Sequence, residues 1–290
     1  MSYTTLQDFE YSQPKSVNEA LSLASKFGNR ARYIAGGTDL VVLMMRRKLN
    51  PNYVISLRKI KELNFITYDK ERGLDVGALC SLRSIERAEG VRQSYTALFE
   101  AVRLVGSVQI RNVATIGGNL CNASPAADTA PPLLALDVQL TAANDGGKRS
   151  IPIGKFFLGP GRTALGPGEI LTGVHIDPPS GGTRSAFSKL GRTPTDISKV
   201  SAAVMLRSHR GVCEDVRIAL GAVAPTPIRV KEAEGLLRSQ QISNDLVEQV
   251  AQRSSEEARP IDDIRSTARW RKEAIKYLVR SLLQKLSGLT

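Results

Sequence analysis

Two pairs of adjacent glycines are the residues most open to chemistry. Arg32-Tyr33-Ile34-Ala35 reads as a strand and runs into Gly36-Gly37-Thr38-Asp39; Leu40, Leu43 and Met44 then recur at helical spacing. Further on, Val113-Ala114-Thr115-Ile116 reads as an apolar strand and leads into Gly117-Gly118-Asn119-Leu120. Backbone without a side chain can approach a ligand closely. At the start of a helix the first N–H groups have no partner within the helix and favour an anion. Thr38 and Asp39 can cap that helix, and the Thr38 hydroxyl can also bond a phosphate oxygen. The first loop therefore has the chemistry of a diphosphate cradle. Its glycines are adjacent, so it is not a G-x-G-x-x-G fingerprint, and no GK[ST] follows to make a Walker loop. One such turn alone reads first as an ordinary strand-to-helix connection. Two of them can converge on one extended, doubly charged ligand.

The elements that must hold these loops follow from local pattern. Ser16 with Glu19 forms a capping box, and Val17, Ala20, Leu21 and Ala24 continue at helical spacing towards Gly28. The helix after the first loop carries Arg46, Arg47 and Lys48 in its last turn and stops at Asn50-Pro51. Residues 53–55 and 74–76 read as strands, and 84–105 reads as helical. Pro131-Pro132 opens a helical run to Leu136, Val138-Gln139-Leu140-Thr141 alternates as a strand, and Asn144-Asp145-Gly146-Gly147 is a turn. Residues 177–183 form a linker-like stretch. Strand-like runs at 200–207 and 215–223 follow, then helical patterns at about 229–239 and 266–287. The pattern is α+β with a boundary near residue 180.

Composition excludes several classes. The 290 residues suffice for about two ordinary domains, and 42% are hydrophobic. No run approaches the roughly 20 apolar residues of a membrane helix. The polar opening, Met1 to Tyr11, lacks the basic and apolar regions of a signal peptide. A cytoplasmic location is expected. Cys80, Cys121 and Cys213 are scattered without C-x-x-C spacing, which argues against iron–sulfur or zinc ligation by this chain and suits a reducing compartment. Net charge is +12, but aromatics are only 5% and the cations are spread along the chain, so a solvated basic surface is expected rather than nucleic-acid binding. An acidic protein partner is the next account. His175 and His209 lie apart and make no metal site.

The two loops carry a resemblance. Tyr33-Ile34-Ala35-Gly36-Gly37-Thr38-Asp39-Leu40 resembles the first FAD motif of the flavin subunits of molybdenum hydroxylases, the family of the carbon monoxide dehydrogenase medium subunit and the xanthine dehydrogenase FAD subunit. Residues 115–128, from Thr115 through Gly117-Gly118-Asn119 to Ala126-Ala127-Asp128, resemble the second. Phe187 to Arg192, Asp196 to Val200, Thr226-Pro227-Ile228-Arg229 and the last helix are similar to the family's C-terminal part, so the resemblance covers nearly the whole chain.

The resemblance implies a two-part FAD-binding fold of the p-cresol methylhydroxylase (PCMH) type over 1–178, with parts of about 1–55 and 56–178, then a smaller α/β domain over 183–290. It implies that residues 33–40 wrap the diphosphate through backbone N–H groups, and that Thr115, Gly118, Asn119 and Ser124 contact the cofactor. Asp128 would accept from its hydroxyls; read on its own it is equally a helix cap before Pro131-Pro132. Val105 and Leu171 match positions packing on the rings. Lys189 matches a lysine near the flavin, where a cation favours the reduced ring. Ile197 matches a position covering one flavin face. Electrons would arrive from [2Fe-2S] clusters on a small subunit, after substrate oxidation on a large molybdopterin subunit. They would leave to NAD+, a quinone or another acceptor, within a doubled heterotrimer. There is no Cys-rich insertion, which argues against the branch carrying an extra [4Fe-4S] cluster. A self-sufficient flavin oxidoreductase is the alternative.

Overall fold

The computed structural model describes residues 6–289, so Met1–Thr5 at the start of the polar opening lie outside the described residues. The first part is a three-stranded parallel sheet in the spatial order Glu10–Ser12, Tyr53–Ser56, Ala31–Ile34. Helix Val17–Phe27 packs on it. Half of the capping box forms as read, with Ser16 Oγ accepting from the Glu19 amide at 3.2 Å; the Glu19 carboxylate accepts from the amide of Lys15, at 2.7 Å, instead of that of Ser16. Val17, Ala20, Leu21 and Ala24 are buried on one face, and Gly28 ends the helix at φ 54°. The second part is a five-stranded antiparallel sheet, in the order 66–69, 73–77, 170–176, 139–144, 147–152, backed by short helices between residues 82 and 135.

Strands Thr183–Leu190, Val200–His209, Val212–Gly221 and Ile228–Arg229 make the C-terminal sheet, all antiparallel. One of its faces is covered by helices Lys231–Leu237, Asn244–Glu257 and Ala268–Ser287. The other packs on the second part: Phe187, Ala203, Met205 and Ala219 join the core around Leu74, Leu98 and Leu133. Val200, Ala202, Val204 and Leu206 pack with the C-terminal helices instead. Both faces being covered explains why residues 200–206 are all buried and, but for Ser201, all apolar.

Three expectations need correction, and one element was not anticipated. Helix Leu40–Met45 ends before Arg46, and Arg47 adopts φ 54°, so Arg46, Arg47 and Lys48 form a turn beyond the helix rather than its last turn. Residues 84–105 are not one helix but parts of Leu82–Arg87, Glu89–Ser94 and Thr96–Arg103, broken where Ala88 and Tyr95 leave helical geometry. Val113–Ile116 is not a strand: helix Val108–Val113 ends there, Ala114 and Thr115 are extended, and Thr115 makes a single bridge to Ser81. Helix Asn244–Glu257 went unread because its buried face includes Ser254 and Ser255. Among the described residues, no helix is long and apolar enough to cross a membrane.

Candidate cofactor site

The first glycine loop leaves the C-terminal end of a parallel strand, Ile34, and crosses over helix Leu40–Met45 to its neighbour Tyr53–Ser56. Ligands of such units bind beyond the carboxyl ends of the strands. None of the amides of Gly36, Gly37, Thr38, Asp39 and Leu40 donates to a protein acceptor among the described residues; the first helical bonds run from Val41 N to Gly37 O and from Leu43 N to Asp39 O. Five consecutive N–H groups are thus left for an external acceptor, which is the donor set a diphosphate requires.

The second loop differs. Thr115 Oγ1 accepts from Gly118 N at 3.0 Å and so caps helix Ile116–Cys121. Ile116 N donates to Cys80 O, Gly117 N to Ala78 O, and Asn119 N to Thr115 O. Its amides are spent inside the protein, so this loop offers side chains. Asn119 Oδ1 accepts from Thr129 Oγ1 at 2.5 Å. Asn122 Nδ2 donates to Asp39 Oδ1 at 3.1 Å and ties the two loops together. Asp39 therefore does not cap its helix, and no side-chain cap forms there.

Three of the four glycines serve the protein rather than leaving room for a ligand. A Cβ on Gly36 would sit 2.1 Å from the carbonyl oxygen of Val113, and one on Gly117 would sit 2.7 Å from that of Ala78. Gly37 has φ +79°, a left-handed conformation that costs other residues energy. A Cβ on Gly118 would meet only Thr115 Oγ1, at 3.0 Å. Gly36 brings the first loop into backbone contact with the segment that enters the second, and the cleft forms around that contact.

This cleft, of about 440 Å³, is lined by Tyr33 to Leu40 and by Val105, Thr115, Gly118, Asn119 and Leu171. Ser124, Asp128 and Lys189 do not line it. Ser124 Oγ accepts from Ala126 N within its own turn, at 3.3 Å. Asp128 is not a helix cap, since Thr129 holds that position. Both its oxygens are occupied: Oδ2 by Lys189 Nζ at 2.7 Å and Oδ1 by Ser198 Oγ at 2.5 Å. Burial raises the Asp128 carboxyl above the usual carboxylate range, against the pull of Lys189 and Ser198. Lys189, expected as a cation near the flavin, is half of a buried ion pair. Ile197 is 66% exposed. The ring nitrogens of His175 lie 2.8 Å from Asp75 and 3.3 Å from Asp177.

The structure adds residues that the sequence reading missed. Glu169 lines the cleft and accepts from Arg149 at 2.8 and 2.6 Å, from Asn144 at 3.2 Å and from Gly166 N at 2.6 Å. Arg149 holds its carboxyl down at about 2, against an ordinary 4.5. A depressed carboxyl stabilises the fold fully above its unfolded value and loses that contribution as pH falls towards the folded value. Glu169→Gln should thus cost about 2 kcal/mol at neutral pH. In urea melts over a pH series, the gap to the natural chain should shrink from pH 4.5 towards 2; a gap independent of pH would contradict this. Tyr33, one strand residue before the loop, donates to Gly168 O at 2.8 Å and so joins this corner to the cradle. Arg111 is buried, pairs with Glu86 at 3.0 Å, and donates to the carbonyls of Val105 and Gly106, both at 3.2 Å. It fixes the turn that presents Val105 and Ile110 to the cleft. An arginine among the apolar positions Val108, Ile110 and Val113 was the available signal. Among the described residues, no group of three or more His, Cys, Asp or Glu could hold a metal ion.

Comparisons with known proteins agree with this geometry. Residues 7–179 match the family described as the FAD binding domain in molybdopterin dehydrogenase, and residues 185–286 match the CO dehydrogenase flavoprotein C-terminal domain. The chain is 32% identical to the nicotinate dehydrogenase FAD-subunit of Eubacterium barkeri, over 98% of this chain and 99% of that protein. It is 30% identical to the carbon monoxide dehydrogenase medium chain of Hydrogenophaga pseudoflava, over 95% and 96%. A solved structure of carbon monoxide dehydrogenase from the same organism superposes with a TM-score of 0.95 at 29% identity, covering 98% of this chain and 99% of that one.

Proposed function

The chain belongs to the family of FAD-binding subunits of the molybdenum hydroxylases, and from that premise we infer that it carries FAD in the cleft between its glycine loops and serves electron transfer. The observation that carries this reading is the row of unpaired amides from Gly36 to Leu40, which matches the acceptors of a dinucleotide diphosphate. Residues 33–40 hold the diphosphate through main chain. Thr115 and Asn119 reach the cofactor from the second loop, where Gly118 leaves the approach open. Val105 and Leu171 supply the apolar walls against which a ring packs, with Arg111 holding Val105 in place. Ser124, Asp128 and Lys189 act at one remove, through the backbone that meets the cofactor. Glu169 and Tyr33 brace the far corner. When bound, FAD supplies the capacity to accept electrons one at a time and release them as a pair; the protein sets position and electrostatics.

The chain works as the medium subunit of a complex. A small subunit carrying [2Fe-2S] clusters delivers electrons, a large molybdopterin subunit oxidises the substrate, and the heterotrimer is doubled into a heterohexamer. Electrons leave to an external acceptor. The location is cytoplasmic, in keeping with cysteines that are all free. Mixing the FAD-loaded chain with the chemically reduced iron–sulfur subunit should bleach the flavin absorption. Persistence of the oxidised flavin spectrum after mixing would count against the assignment.

A further inference from the structure

The buried cluster around Lys189 carries an inference beyond cofactor contact, resting on the reading that this chain binds FAD. Lys189 sits on strand Thr183–Leu190 of the C-terminal sheet, with its side chain 3% exposed. An ammonium group has three donors. Here Nζ donates to Leu104 O at 2.7 Å, to Asp128 Oδ2 at 2.7 Å and to Asp196 O at 3.0 Å. No donor is left over. Each acceptor lies on a different segment beside the site: Leu104 precedes Val105 in the cleft wall, Asp128 ends the second glycine motif, and Asp196 precedes the exposed Ile197. Ser198 Oγ closes the arrangement on Asp128 Oδ1.

We propose that Lys189 is a positioning residue, a clasp whose single ammonium holds three sequence-distant segments of both domains in register for the cofactor, and that it does not itself donate to the flavin. Burial makes the clasp strong and mutual. A buried charge stays only if it is paired and hydrogen-bonded, and removing one partner strands the other. Asp196 is held from two sides: its carbonyl is drawn inward by Lys189, and its carboxylate accepts from Arg192 at the surface, at 2.9 Å. The clasp thus fixes the root of the loop that bears Ile197.

The test is a double-mutant cycle in the full chain, read by fluorescence titration with FAD and by the midpoint potential of the bound flavin. The natural chain must first bind FAD; if it does not, the functional reading fails, separately from the clasp. Lys189→Met and Asp128→Asn should each weaken FAD binding about 100-fold, because each leaves a buried charge unpaired. The double variant should be no worse than either single one, because no unpaired charge remains. Losses that simply multiply in the double variant would overturn the clasp. So would a Lys189→Met chain that binds FAD normally with only a lowered potential, since the lysine would then act as a charge on the ring. If Lys189→Met does not fold, Ser198→Ala keeps both charges and removes one bond to Asp128. It should weaken FAD binding several-fold, and unchanged binding would refute the proposal.

Discussion

A chain carrying Gly36→Val is expected to lose FAD. The new Cβ would lie 2.1 Å from the Val113 carbonyl oxygen and 3.0 Å from the Ala114 Cα. These are main-chain atoms, so no rotamer change relieves the overlap. The two loops must move apart, at a cost of about 1–3 kcal/mol or more for overpacking. Because the cleft forms around their contact, the separation should appear as at least about a 100-fold loss of FAD affinity. Gly154→Ala is the control: its Cβ would meet nothing within 4 Å, and its backbone is not left-handed. Equal affinities for Gly36→Val and the control would show that the contact does not shape the site.

Arg271→Met should give the largest loss of stability. Arg271 is 2% exposed at the start of the last helix, and it donates to Ala222 O at 3.0 Å and Ser266 Oγ at 2.8 Å while pairing with Asp263 at 2.6 Å. Ala222 occupies φ 63°, and its own N–H donates across the domain boundary to Pro125 O at 2.7 Å. Pro125 lies within the second motif. The arginine thus steadies a strained residue that in turn holds the cofactor segment. Removing it leaves a buried carbonyl unsatisfied and takes from the partly exposed Asp263 one of its two arginine partners, which together should cost about 2–4 kcal/mol in denaturant unfolding. Arg271→Lys should recover part of this. A cost below about 1 kcal/mol would refute the role.

What could be read from the sequence divides by range of interaction. The capping box at Ser16 and Glu19 was legible because both partners lie within one turn. The antiparallel strands around 200–221 were legible because their apolar runs are long. The glycine loops were located correctly, yet the reason for Gly36 and Gly117 was not visible: it lies in carbonyls of Val113 and Ala78, which only the fold brings near. The same holds for Asp128 and Lys189. The resemblance picked out both residues, but their mutual bond depends on two domains meeting. Glu169 was missed because Arg149 and Asn144 reach it from neighbouring strands. Helix Asn244–Glu257 escaped notice because Ser254 packs inward after bonding its hydroxyl to Val250 O at 2.8 Å, so a polar letter occupies a core position.

On the proposed function, the unpaired main-chain amides at residues 36–40 bind the diphosphate of a flavin dinucleotide. Titrating the purified chain, freed of cofactor, with FAD and with FMN, which lacks the diphosphate bridge and the adenosine, tests it most directly. One FAD should bind per chain, with ADP competing and FMN far weaker, and the Gly36→Val chain should lose the preference. Equal affinity for FMN and FAD, or no binding of FAD, would contradict it.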